Sequence, residues 1–89
     1  MKTVHLKITG KVQGVFFRAT ARDTAKKHEL SGWIKNNDHH EVEALITGLE
    51  KDIDAFVTWS KRGPEKAEVQ NVIVTEKELC IFDSFEVIR

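Results

Sequence analysis

The run Gly10-Lys11-Val12-Gln13-Gly14-Val15-Phe16-Phe17-Arg18 holds the residue types best suited to gripping an anion. It joins a strand-like stretch to a helix-like one. Amides at a helix start have no intrahelical acceptors and carry partial positive charge. Gly10 and Gly14 let the main chain turn back, so that several N–H groups converge on one point. Arg18 adds a planar fork of donors matched to phosphate oxygens. A phosphate-binding loop is one reading. An ordinary glycine-containing turn followed by a surface arginine is the other.

Other reactive side chains read more plainly. His39-His40, beside Asp38 and Glu41, has the residue types of a metal site, but adjacent ligands on a polar turn are more often solvated. His5 alternates with apolar positions and points outward. Trp33 and Trp59 read as packing residues, and one of Phe16 and Phe17 anchors the loop to the core. Cys80 is a non-catalytic thiol with no charged partner that the sequence names.

The elements that must position these groups follow from periodicity. Val4, Leu6 and Ile8 alternate with polar residues over 3–9, as in a strand with one buried face. From about Arg18 to Leu30 a helix is expected, resting on Phe17, Ala21 and Ala25 and stopped by Ser31-Gly32. Trp33–Asn36 and Glu41–Thr47 read as strands of a hairpin. Leu49, Ile53, Phe56, Val57 and Ser60 form one stripe of a second helix over 49–62, stopped by Gly63-Pro64. Val69–Thr75 is a further strand and Ile81–Ile88 a last one. The order β-α-β-β-α-β, with an extra terminal strand possible, predicts an α+β, ferredoxin-like sandwich: an antiparallel sheet with both helices on one face. That fold hosts many functions, so the site must decide.

Composition narrows the choice. The 89 residues suffice for one domain, 1–89. Lys plus Arg number 14, as do Asp plus Glu, so the net charge is +0. Such a chain lacks the broad positive field of nucleic-acid or anionic-membrane binders, and any anion must be held locally. No apolar run approaches a membrane span or a signal peptide. One cysteine can form neither an internal disulfide nor the paired-cysteine loop of a metal chaperone, which points to a cytoplasmic setting. An RNA-binding module would need basic surroundings and sheet aromatics in an RNP-like pattern, which is absent.

The nine-residue run 10–18 resembles the signature of the acylphosphatase family, with Gly, Val, Gln, Gly, Val, Phe and Arg at the same relative positions. Gly32-Trp33-Ile34-Lys35-Asn36 is similar to its second motif, and Lys61-Arg62-Gly63-Pro64 with Ala67 and Val69 to a third. The resemblance implies that Arg18 and Asn36 are the catalytic residues. It implies a phosphate cradle of backbone amides from Gln13, Gly14, Val15, Phe16, Phe17 and Arg18. Two departures stand out: Asn37 occupies the place of a family Thr, and His39-His40 that of an Asp-Gly turn. Since neither His tolerates positive φ as Gly does, the turn is expected to differ in backbone geometry.

The implied activity is hydrolysis of a small-molecule acyl phosphate to carboxylate and inorganic phosphate, with no metal and no cofactor. Phosphate is then product and inhibitor, and the monomer is the expected state. The alternative is a catalytically weak phosphate- or metabolite-binding module on the same fold.

Overall fold

The computed structural model describes residues 1–88. Seven elements follow in order: β1 (Lys2–Lys11), α1 (Phe17–Lys27), β2 (Ser31–Asn36), β3 (Val42–Gly48), α2 (Glu50–Arg62), β4 (Glu68–Lys77) and β5 (Phe85–Ile88). They build one five-stranded sheet of order β4-β1-β3-β2-β5. β1 and β3, β1 and β4, and β2 and β3 pair antiparallel, the βαββαβ core expected from the sequence. The extra strand corrects the all-antiparallel expectation. β5 lies parallel to β2, with Gly32 opposite Phe85 and Lys35 opposite Ile88. A parallel neighbour is reachable because the chain crosses the sheet before β5 instead of turning back on β4.

Period-two alternation sorts the strand residues onto two faces. Val4, Leu6, Ile8, Ile34, Val42, Ala44 and Ile46 are buried under the helices. His5, Lys7, Trp33, Lys35 and Glu43 have the opposite parity and line the open face, as expected for His5. There Lys35 Nζ stands 5.3 Å from the Trp33 ring centroid, so Trp33 is a partly exposed platform. Trp59 packs against Phe17 and Phe56 at centroid distances of 5.3 and 5.8 Å. Neither helix is long and apolar enough to cross a membrane.

Helix α1 buries Phe17, Ala21 and Ala25, spaced four residues apart, and the two buried alanines let it lie close to β2 and β5. It ends at Lys27, three residues earlier than expected. Glu29, at φ 55°, closes it in a Schellman turn: Leu30 N–H donates to Ala25 O (2.9 Å) and Glu29 N–H to Lys26 O (3.1 Å). Ser31-Gly32 therefore opens β2 instead of stopping the helix. In α2, Ile53, Phe56 and Ser60 are buried as the stripe predicts. Leu49 is not: it sits at the N-cap with extended backbone (φ −69°, ψ 147°), off the helical face, and is 51% exposed. The last strand forms only over 85–88. The segment before it folds back over the open face, where Cys80 N–H donates to Thr3 Oγ1 (2.9 Å) and Cys80 O accepts from Thr47 Oγ1 (2.7 Å). Cys80 acts through its main chain there, with its thiol on an exposed residue.

Candidate active site

Topology brings the motifs together. β1 and β2 each run antiparallel to β3, so they run parallel to one another and end at the same edge. β5 shares that direction. Lys11, Asn36 and Ile88 thus mark one end of the sheet, and the β1–α1 loop lies across it. Asn36 has the parity of Ile34, so its side chain is on the helix-bearing face, toward α1.

The loop takes the conformations its glycines allow. Gly10 sits at φ 124° where the β1–β4 register shifts, and a Cβ there would collide with the carbonyl of Glu68. Gly14 sits at φ 72° with open space around it. Phe16, at φ 61°, takes the N-cap position without a side-chain cap. A non-glycine residue in that region stores backbone strain, a recurrent feature of binding loops. Val12 and Val15 are buried, Phe17 anchors the loop in the core, and Phe16 is 79% exposed. The expectation that one of the two phenylalanines would anchor the loop holds.

The hydrogen bond that closes the first turn of α1 runs from Thr20 N–H to Phe16 O, 3.1 Å. Amides ahead of it, those of Phe17, Arg18 and Ala19, have no intrahelical acceptor. No acidic residue occupies the first turn to compete for them.

A cleft of about 440 Å³ opens at this point, lined by Gly14, Phe16, Phe17, Arg18 and Asn36 among others. Arg18 is half-buried, and its Nη1 donates to the Ile88 carbonyl (3.2 Å). Strand β5 thus steers the guanidinium, a role that no sequence signal at Ile88 announced. Asn36 Oδ1 is buried with no hydrogen-bond partner among the described residues. Such orphaned acceptors are rare and costly unless a ligand or water satisfies them. Gln13 and Val15 do not line the cleft with their side chains. Val15 packs inward. Gln13 Nε2 donates to the carbonyls of Asn37 (3.1 Å) and Glu41 (3.0 Å), which ties the loop to the β2–β3 turn.

That turn carries the chain's departures from the family motif. Asn37 Oδ1 accepts from the amides of His39 (2.9 Å) and Glu41 (3.0 Å), an Asx turn. Its Nδ2 donates to Glu41 Oε1 (3.0 Å) and Glu43 Oε2 (2.9 Å). Glu43 also meets His5 Nε2 at 2.9 Å. The Asn37 hydrogen bond, with smaller help from His5 and Lys35, holds the Glu43 carboxyl below its ordinary range against the opposing effect of burial. His40 corrects the expectation about the turn: it adopts φ 64°, the left-handed conformation a glycine would supply. Histidine is among the residues that enter this region, and the Asx turn fixes the chain around it. His39 and His40 lie in this turn, and no cluster of three or more metal-ligating side chains forms among the described residues.

The acylphosphatase family model matches residues 4–87. An acylphosphatase from Thiobacillus denitrificans is 42% identical over 78 residues, 88% of each chain. The crystal structure of acylphosphatase from Bacillus subtilis superposes with a TM-score of 0.96 at 34% identity, covering 100% of both chains. That of an acylphosphatase from Coxiella burnetii gives 0.95 at 37%, covering 98% of this chain and 92% of the other. These matches disfavour a binding-only module. With its match across the whole fold, this chain belongs to the acylphosphatase family and is an enzyme that hydrolyses acyl phosphates.

Proposed function

We propose that the phosphoryl group of the substrate seats in the 13–18 loop, that Arg18 binds its oxygens from the side, and that Asn36 aligns the attacking water. The observation that supports this is the shared cleft: an uncapped helix start, the Arg18 side chain and Asn36, whose amide oxygen has no partner among the described residues, meet at one cavity.

The chemistry asks for little more. The leaving group is a carboxylate whose conjugate acid has a pKa of about 4, so it departs without protonation and needs no general acid. What remains is charge on the equatorial phosphoryl oxygens as water approaches in line. Backbone amides and one guanidinium, already fixed in place, meet that charge without reorganising and without a metal ion. Rotation about the terminal side-chain torsion of Asn36 presents either its oxygen or its nitrogen to the cleft. It can therefore accept from the water and donate to the phosphoryl group. A phosphoryl oxygen of the substrate takes the water's proton.

The proposed working unit is a monomer, with residues 1–89 as one domain. A lone cysteine supports a reducing, cytoplasmic setting. Inorganic phosphate, sharing the cradle, competes with substrate. The test is hydrolysis of benzoyl phosphate with chelator present: wild type turns over, Arg18→Ala loses at least about 10³ in rate, and phosphate raises KM alone. Near-normal turnover by Arg18→Ala would remove the assignment.

A further inference from the structure

The cleft holds a second cation that phosphoryl transfer does not use. Arg22 lies four residues beyond Arg18, on the same face of α1, and lines the same cavity. The placement is locally unfavourable. Like charges at this spacing repel, and Arg18 lies in the first turn, where the macrodipole is already positive, with Arg22 at the helix midpoint. The first turn holds no acidic residue to offset them. Among the described residues Arg22 pairs only with its chain neighbour Asp23, Nε to Oδ1 at 3.8 Å, a spacing at which side chains do not face each other. Groups held against local preference tend to mark functional sites.

We propose that Arg22 binds a second anionic group at the far end of the acyl chain, so that the enzyme prefers acyl phosphates of dicarboxylic acids. This rests on the phosphoryl group seating beside Arg18. The helical rise from residue 18 to residue 22 is about 6 Å. That spans a four-carbon diacid monophosphate with its phosphoryl group at Arg18 and its free carboxylate at Arg22. The cavity, about 440 Å³, is in the size range that admits a whole small organic molecule. The exposed Phe16 ring on its wall gives the intervening methylenes an apolar surface.

The probe pair is succinyl phosphate and butyryl phosphate, which differ in a terminal carboxylate against a methyl. Wild type should favour succinyl phosphate in kcat/KM by about tenfold, the order of one charge-assisted hydrogen bond. The advantage should sit in KM and shrink as salt is added. In Arg22→Gln the ratio should fall to about one, and Arg22→Lys should restore part of it. Melting of Arg22→Gln should be no lower than wild type, since a repulsion is removed. A wild-type ratio near one, or a ratio that Arg22→Gln leaves intact, overturns the inference; the latter result would mean that Arg22 touches the shared phosphoryl group or nothing. Arg18→Ala run alongside separates the two levels. If it spares both substrates, the seating of the phosphoryl group is wrong and the Arg22 inference falls with it.

Discussion

Asn36→Ala should make the protein a far poorer catalyst and a slightly more stable fold. Its amide oxygen is buried without a partner. An unsatisfied buried acceptor costs about 1–3 kcal/mol, and truncation removes that cost. Against this stands lost packing of a half-buried carboxamide, less than about 1 kcal/mol; strand preference gives no penalty, since Asn is no better than Ala in a strand. The backbone pairing of Asn36 with Val42 is untouched by the change. The balance is a gain of about 1 kcal/mol, which for a domain this size raises Tm by about 4–8 °C. Turnover should drop by roughly 10²–10³, the usual loss for one preorganised polar group. Phosphate inhibition should change little, because the amides and Arg18 remain. Thermal melting by circular dichroism, with and without phosphate, and steady-state hydrolysis of benzoyl phosphate read both effects. A fall in Tm parallel to the fall in kcat would refute the reasoning, since Asn36 would then be a structural residue whose oxygen is satisfied.

Arg18→Lys should be nearly as damaging as Arg18→Ala, because an ammonium reproduces the charge but neither the planar fork nor its aim from the Ile88 carbonyl; kcat for the lysine variant settles this. Gln13→Ala removes two hydrogen bonds between the loop and the β2–β3 turn, about 2 kcal/mol together. Its Tm should fall by about 10 °C and its phosphate affinity with it, whereas an unchanged melt would mean that water replaces both bonds. Glu43 is held below its ordinary pKa, chiefly by Asn37. Its ionised form therefore stabilises the fold above the ordinary carboxylate range, and that contribution is lost as pH falls through the lowered value. Glu43→Gln should accordingly be less stable near neutrality and show a flatter acid limb in melts taken from pH 6 to pH 3.

Much of this protein was legible in the chain itself. Alternation at Val4, Leu6 and Ile8, and the spacing of Ile53, Phe56 and Ser60, reflect local periodicities that depend only on which face is wet. The features of 10–18 on which the proposed phosphoryl site rests are equally local, since glycines, an uncapped helix start and Arg18 are close in sequence. Tertiary structure decided what depends on distant partners. The parallel docking of β5 puts the Ile88 carbonyl on Arg18, seventy residues away, and no residue type signals a main-chain acceptor. The helix stop at Glu29 and the left-handed His40 hide from sequence because neither is a glycine, and their conformations are imposed by bonds to Ala25, Lys26 and Asn37. That Asn37 fixes the turn, and that Asn36 is left unpaired beside the cleft, follows from which side of a strand each falls on once β2 is locked between β3 and β5.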